Sequence, residues 1–147
     1  MKKTNFDERQ IINRGKAFQI GFIVALVSIA LVFLATDAFE FKIDTFTSFI
    51  VTIWTPMTAC FIMLIAKDAY EGINQTGGRI IISILGFCGV FILISKIILL
   101  LTNHSYFIEN GIITENTGHI FQSLCMIAIF IVYWVKQYIN KKNYPDE

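Results

Sequence analysis

Charged residues are scarce in this sequence. Asp, Glu, Lys and Arg make up 16% of its 147 residues, whereas 55% are hydrophobic. A soluble domain usually carries about 25% charged residues, and the few present here are excluded from four long apolar segments, except for Lys96. This distribution rules out an ordinary soluble globule. The net charge of +1 also gives no reason to expect direct nucleic-acid binding.

The residue patterns of common enzyme sites are missing as well. The cysteines Cys60, Cys88 and Cys125 lie in three different apolar segments, with neither a CxxC pair nor zinc-ligand spacing. The sequence contains no nucleophile elbow, phosphate-binding loop or HExxH motif. We therefore expect no catalytic, cofactor-binding or metal-binding residues and no enzymatic activity.

Acidic residues and histidine are absent from the centres of the apolar segments. A proton-coupled pump normally needs such a group in the membrane, so a single copy is not expected to act as one. Lys96 lies five residues before Leu101, roughly 7 Å below the outer end of a helix. We interpret Lys96 as an outer anchor whose ammonium group reaches the surface. The expected acceptors are the carboxylates of the outer loops: Glu40, Asp44, Glu109 and Glu115.

What the sequence does contain is four membrane-spanning patterns. As helices, the first three apolar segments would be roughly 28–33 Å long, which matches a hydrocarbon core of about 30 Å. We predict an all-α integral membrane protein, a four-transmembrane-helix bundle that forms one membrane domain over residues 1–147. The predicted helices are about 17–35, 46–66, 80–101 and 119–139, flanked by an amphipathic tail at 1–16 and a second tail at 136–147.

The basic residues predict the orientation of these helices. Ten of the 12 Lys and Arg residues fall in the two tails and the loop after the second helix, and Lys42 alone falls in the loops on the other side. Basic residues stay on the cytoplasmic side. We therefore predict a multi-pass protein of the bacterial inner membrane with both termini in the cytoplasm.

The predicted outer loops carry strand-like patterns. Residues 39–44 alternate apolar and charged side chains, as a half-buried strand does. In the last loop, Asn110-Gly111 lies between two short apolar runs and predicts a hairpin with a type I′ turn. We hypothesise a small sheet over the outer ends of the helices. The alternative is two aromatic loops at the membrane interface.

Small residues form a seam along each of the first three helices. On the second helix, Ser48, Thr52, Thr55 and Ala59 recur at spacings of four, three and four. Such a seam lets a neighbouring backbone approach closely; the alternative is a polar permeation path. The hydroxyl groups of Thr52, Thr55 and Thr58 can each donate to the carbonyl four residues earlier, which favours packing.

The N-terminal tail resembles the start of a capped helix. Asn5 is the predicted N-cap, Glu8 occupies the third helical position, and Gly15 offers a bend before the first span. We expect Asp68 and Glu71 of the next cytoplasmic loop to pair with Arg9 or Arg14. The alternative is a solvated tail that serves only as a positive-inside signal. The candidate partner surface comprises Asp7, Glu8, Arg9, Arg14, Asp68 and Glu71.

The segment Asp7-Glu8-Arg9-Gln10, followed by Ala17-Phe18 at the mouth of the first helix, supports a family resemblance. It resembles a broad group of small, uncharacterised bacterial four-helix membrane proteins that carry a similar acidic-acidic-Arg-Gln segment before their first span. Many of those proteins look like membrane partners of a small helix-turn-helix repressor encoded beside them. The resemblance implies a regulatory or accessory role and carries over no catalytic residue.

Together these patterns predict a non-enzymatic accessory or regulatory membrane protein. Its expected partners are the lipid bilayer and a cytoplasmic regulator or membrane protein bound at the cytoplasmic face, with homo-oligomers as a further option. The alternative is a transport or immunity component that acts as an oligomer.

Overall fold

The computed structural model describes residues 6–71, 77–102 and 106–143. Its elements in chain order are α1 (Glu8–Asp37), β1 (Lys42–Ile43), α2 (Thr45–Ala66), α3 (Gly77–Leu101), β2 (Ile108–Glu109), β3 (Ile112–Ile113) and α4 (Glu115–Asn143). All four helices are long and apolar enough to cross a membrane. The predicted all-α architecture with four spans is therefore confirmed at this level.

Helix α1 begins much earlier than the predicted first span. Asp7 is its N-cap: the Asp7 side chain accepts from the Gln10 N–H at 2.6 Å, and the Gln10 side chain accepts from the Asp7 N–H at 3.2 Å. This reciprocal capping box satisfies two otherwise unpaired donors. The predicted cap, Asn5, lies outside the described residues, and Glu8 occupies the first helical position rather than the third. The helix continues through Gly15, so the described part of the tail is not separate from the first span.

The helices pack side by side in the order α1, α2, α4, α3, with extensive contacts between each adjacent pair. Helices α1 and α3 therefore stand at the two ends of the row. Large apolar side chains on both remain exposed, for example Phe22 on α1 and Phe91 on α3. In water such a surface would be unfavourable, whereas lipid accommodates it. Two buried clusters form much of the core: Ile65, Ile82, Ile129 and Tyr133 in one, and Ala17, Leu64 and Ala69 in the other.

Small residues mark the places where the helices touch. A Cβ atom placed on Gly21 would lie 3.1 Å from the Cys60 Cβ, which brings α1 and α2 close together. On α3, a Cβ atom on Gly86 would come within 2.5 Å of the Phe130 ring of α4. The seams of small residues on α1 and α3 thus act as packing surfaces, as the sequence predicts.

The threonines of α2 largely bond within their own helix. The hydroxyl of Thr52 donates to the Ser48 oxygen at 3.0 Å, and that of Thr55 to the Val51 oxygen at 2.7 Å. Thr58 differs from the prediction, because its hydroxyl is buried without a hydrogen-bond partner among the described residues.

A three-stranded sheet covers one end of the bundle, which we call the sheet end. Strand β3 lies in the middle, parallel to β1 and antiparallel to β2. The β2–β3 turn has positive φ at both Asn110 (51°) and Gly111 (78°), as a type I′ turn requires. The N–H of Asp44 donates to the Ile113 oxygen at 2.9 Å, and the Asp44 side chain caps α2. The predicted hairpin and its pairing with the first loop are confirmed. The strand predicted over residues 39–44 is shorter, since only Lys42–Ile43 joins the sheet and Glu40 has a φ of 52°.

Lys96 is anchored at the sheet end, but to a residue that differs from the expected ones. Its Nζ donates to the Asn116 Oδ1 at 3.0 Å, in the first turn of α4. Of the carboxylates proposed from the sequence, Glu109 lies in β2, Asp44 caps α2 and Glu115 is the first residue of α4, whereas Asn116 lies one position further along α4. The contact joins α3 to α4 where these two helices meet the sheet end.

Candidate functional site

The opposite end of the molecule brings together the first turns of α1, the segment 67–71 and the last turns of α4. We call this end the polar face. It is built from the start of α1, the segment 67–71 and the end of α4, so it depends on three elements that are distant in sequence. Three of the six residues of the candidate partner surface form contacts with another element there: Arg14, Asp68 and Glu71.

Side chains of α1 donate hydrogen bonds to the main-chain oxygens of the segment after α2. The Gln10 Nε2 donates to the oxygens of Asp68 and Glu71 at 2.9 and 3.2 Å. One turn later, the Arg14 Nη1 donates to the oxygen of Ala69 at 3.2 Å. Carbonyl groups that follow a helix C-terminus lack helical partners, and a cation there also interacts favourably with the helix dipole. The contact therefore fixes both the end of α2 and the start of α1.

Asp68 connects this segment to α4. Its carboxylate forms an ion pair with the Lys136 Nζ at 2.8 Å and accepts from the Asn140 Nδ2 at 3.2 Å. The Asp68 backbone has φ of 52°, in the left-handed region that aspartate tolerates better than most residues. Because the two side chains of the ion pair are 25% and 59% exposed, the pair contributes only about 0–1 kcal/mol. Its role is to orient Asp68.

Glu71 and two tyrosines close the inner side of the polar face. The Tyr133 hydroxyl donates to the Glu71 Oε1 at 3.4 Å, and the Tyr133 ring meets Tyr70 edge-on at 6.3 Å. Burial raises the pKa of the Tyr70 hydroxyl above its usual value, and the nearby Glu71 carboxylate raises it further. Tyr70 is therefore uncharged at neutral pH and can donate a hydrogen bond.

A cavity of about 240 Å³ opens between these groups. Its walls carry amides, carboxylates, one ammonium group and two phenol rings, so it can accept and donate hydrogen bonds to a small polar group. No cluster of three or more potential metal ligands occurs among residues 6–71, 77–102 and 106–143. The lining residues are Gln10, Ile65, Asp68, Tyr70, Glu71, Tyr133, Lys136, Gln137 and Asn140.

The prediction that Asp68 and Glu71 pair with Arg9 or Arg14 is wrong, because the two carboxylates and Arg14 have other partners. Arg14 bonds to a main-chain oxygen and its guanidinium lies 4.2 Å from the centre of the Phe6 ring. Asp68 pairs with Lys136 instead. The physical reason is the position of the helix ends. Because α1 starts at residue 8, the Gln10 amide and the Arg14 guanidinium lie against the carbonyl groups that follow α2. The cation that pairs with Asp68 comes from α4.

The remaining members of the candidate partner surface differ in their environments. Asp7 is engaged in capping its own helix. Glu8 and Arg9 are exposed on the first turn of α1. The structure thus brings Arg14, Asp68 and Glu71 into one network and leaves Glu8 and Arg9 displayed beside it.

Sequence reasoning missed the contributions of Gln10 and α4 to the polar face. Tyr133, Lys136 and Asn140 are spaced by three and four residues, which places them on one face of a helix. That spacing was a usable signal, although it could not identify the segment against which the face packs. Gln10 was recognisable only through its spacing of three from Asp7.

These observations define a helical protein with four helices long and apolar enough to cross a membrane and with a hydrogen-bonded polar face at the end opposite the sheet. Comparisons of the chain with protein-family models, with curated proteins and with solved structures found no match.

Proposed function

We propose that this protein is a non-enzymatic accessory or regulatory protein of the bacterial inner membrane that binds a cytoplasmic or membrane partner through its polar face. The observation that carries the proposal is the hydrogen-bonded connection of α1 to the segment after α2. Gln10 and Arg14 hold that connection in place, so Glu8 and Arg9 are displayed on a fixed scaffold.

The distribution of charge supports a cytoplasmic position for the polar face. The two tails and the loop after α2 contain ten of the 12 basic residues, and such residues are retained in the cytoplasm. Placed there, the polar face is accessible to a soluble regulator and to the cytoplasmic loops of another membrane protein.

The exposed charges suit recognition by a protein. Glu8 and Arg9 present opposite charges side by side, and the half-exposed carboxylate of Asp68 lies on the same face. Exposed charges at the rim of an interface contribute mainly to specificity and association rate. These charges would therefore favour a partner that carries a complementary pair of charges. Because they are exposed, they contribute little to the stability of the fold.

The alternative is a transport or immunity component that acts as a homo-oligomer. The exposed apolar side chains of α1 and α3, at the two ends of the helix row, support it because a second copy could pack against either end. The bonding of Thr52 and Thr55 to their own helix argues against the α2 seam as a polar path, so this alternative would require a path between copies.

Photocrosslinking in native membranes tests the proposal. A photoreactive residue at position 9 is expected to capture a defined protein, and Glu8→Lys in the same chain should abolish that capture. A photoreactive residue at position 42, exposed at the sheet end, is the matched control and should not capture the same protein. Unchanged capture in the Glu8→Lys chain, or capture of only a second copy of this chain, would contradict the proposal.

The outcome also separates the two candidates. The oligomeric alternative would be supported by crosslinks between two copies of this chain, together with a change in the sensitivity of the expressing cells to ions or peptides. Charge reversal is placed at Glu8 rather than Asp7 because Asp7 caps α1, and its replacement would perturb folding and binding together.

A further inference from the structure

An apolar groove of about 460 Å³ runs between α1 and α2, next to the polar face, and the side chains of Phe18, Phe22 and Met57 in its lining are exposed. Phe18 and Phe22 of α1 form one wall, and Met57, Phe61 and Leu64 of α2 form the other. In a membrane this groove opens to the acyl chains of one leaflet. Its floor is the close contact of Gly21 with Cys60, which keeps the two helices together beneath it.

One end of the groove is charged. Arg14 and Tyr70 line it where α1 meets the segment after α2. The Arg14 guanidinium donates one hydrogen bond to a described residue, the oxygen of Ala69, although it has five N–H donors in all. Arg14 is half-buried and its guanidinium lies over the Phe6 ring. Its position is therefore held by two contacts, while its other four N–H groups form no hydrogen bond to a described residue.

The polar and apolar parts of the groove are ordered along the membrane normal. Arg14, Phe18, Gly21 and Phe22 are spaced by four, three and one residues, which places them on one face of α1. Eight residues separate Arg14 from Phe22, roughly 12 Å along a helix. Arg14 is thus at the depth of lipid head groups when the phenylalanines are at the depth of the acyl chains.

An occupant of this groove must carry an anion at one end and an apolar chain at the other. Arginine binds phosphate oxygens through two parallel N–H groups, and basic sites between membrane helices bind anionic head groups. We propose that the groove binds one anionic phospholipid of the adjoining leaflet, with its phosphate on Arg14 and one acyl chain along Phe18, Phe22 and Met57.

This site shares Arg14 with the candidate partner surface but differs from it in the group that it binds. The proposed partner binds the exposed charges of Glu8 and Arg9, whereas the lipid occupies the groove between α1 and α2. The lipid proposal therefore does not rest on the proposed function, and either can fail alone.

Binding can be measured on the purified full chain in detergent. Native mass spectrometry counts the lipids retained, and thermal unfolding is followed as phosphatidylglycerol or phosphatidylcholine with identical acyl chains is added. The wild type is expected to retain one phosphatidylglycerol and to unfold at higher temperature with it than with phosphatidylcholine. The choline cation offsets the phosphate charge beside Arg14, and a bound ligand stabilises the folded state. Inorganic phosphate at the same concentration should give no such shift, since it lacks the acyl chain.

Two variants address the two ends of the site. Arg14→Gln should weaken phosphatidylglycerol binding about tenfold, which corresponds to about 1.4 kcal/mol. Met57→Trp fills the apolar end and should weaken binding to a similar extent while leaving Arg14 in place. The matched controls are Arg9→Gln, an equal change of charge at the same face, and Phe49→Trp, on the exposed surface of α2 outside the groove.

The proposal is overturned if the wild type retains both lipids equally, if phosphate stabilises the chain as well as phosphatidylglycerol does, or if Arg9→Gln weakens binding as much as Arg14→Gln. Should Arg14→Gln fail to fold, Met57→Trp against Phe49→Trp still decides the matter: equal binding by these two variants excludes the groove.

Discussion

Gln10 and Asp68, 58 residues apart in the sequence, are joined by a hydrogen bond of 2.9 Å from the Gln10 Nε2 to the Asp68 main-chain oxygen. The same Gln10 side chain accepts from the Asp7 N–H and so closes the capping box that begins α1. One side chain thereby couples the local start of a helix to the tertiary docking of a loop.

Replacing Gln10 should loosen the polar face. Gln10→Ala removes two donated bonds and one accepted bond, each worth about 0.5–1.5 kcal/mol, and we expect a loss of about 2 kcal/mol in the free energy of unfolding in detergent. Gln10→Glu keeps an acceptor for Asp7 but no longer donates, so proteolysis after Lys67 should accelerate in both variants. Gln19→Ala, at an exposed site of the same helix, is the control, and an equal loss there would refute this account.

The ion pair of Lys136 with Asp68 should matter far less. Both side chains are partly exposed, so Lys136→Gln is expected to reduce stability by less than about 1 kcal/mol. That small effect should shrink further near 1 M salt, where screening acts over about 3 Å. Unfolding midpoints of wild type and variant at low and high salt check the prediction, and a large, salt-independent loss would contradict it.

Close packing of α3 on α4 depends on Gly86. A Cβ atom there would come within 2.5 Å of the Phe130 ring, and overpacking of this kind typically costs about 1–3 kcal/mol. Gly86→Ala should therefore destabilise the chain, and Phe130→Leu in the same chain should recover part of the loss. Gly77→Ala is the matched control, because a Cβ atom at Gly77 would meet no non-neighbouring atom of the described residues within 4 Å. A double-mutant cycle measures the coupling; purely additive effects would exclude this contact as the cause.

The β2–β3 turn requires glycine at position 111 because its φ is 78°. An alanine in the left-handed region costs about 1–2 kcal/mol, so Gly111→Ala should increase hydrogen exchange at the Thr114 amide, which donates to the Phe107 oxygen. Gly15 lies within α1, and a Cβ atom there would meet no described residue outside its own helix turn within 4 Å. Gly15→Ala should therefore stabilise the helix by roughly 0.5–1 kcal/mol. Unaltered exchange at Thr114 in the Gly111 variant would show that the turn tolerates a side chain.

The anchoring of α3 at the sheet end rests on Lys96 and Asn116. Lys96→Met and Asn116→Ala each remove the same 3.0 Å hydrogen bond, and because both residues are half-buried we expect each to cost about 1 kcal/mol. The double variant should cost little more than either single one. Fully additive losses in unfolding experiments would indicate that the two residues act separately.

Local chemistry made several elements predictable from the residues alone. The Asn110-Gly111 pair supports positive φ at two successive positions, which few other residue pairs do, so the hairpin could be foreseen. The small residues at Gly21 and Gly86 could likewise be read as contact points, since helices in lipid approach through such residues.

Other features depended on contacts that no local pattern specifies. The N-cap was assigned to Asn5 although Asp7 has the same spacing to Gln10 that a capping box needs, because two candidate caps stood close together. Charge complementarity predicts a carboxylate as the partner of Lys96. The structure instead places the Asn116 side chain, in the first turn of α4, within hydrogen-bond distance of the Lys96 ammonium group.

The sequence by itself determined four helices long and apolar enough to cross a membrane, because segments of this length and apolarity leave the backbone no other way to satisfy its hydrogen bonds in lipid. Only the tertiary structure decided which helices are neighbours, since all four present similar apolar surfaces and the order α1, α2, α4, α3 follows from where small and large side chains fit together. It also decided that Gln10, Asp68 and Lys136 meet, because hydrogen bonds between distant segments depend on how the helix ends are placed.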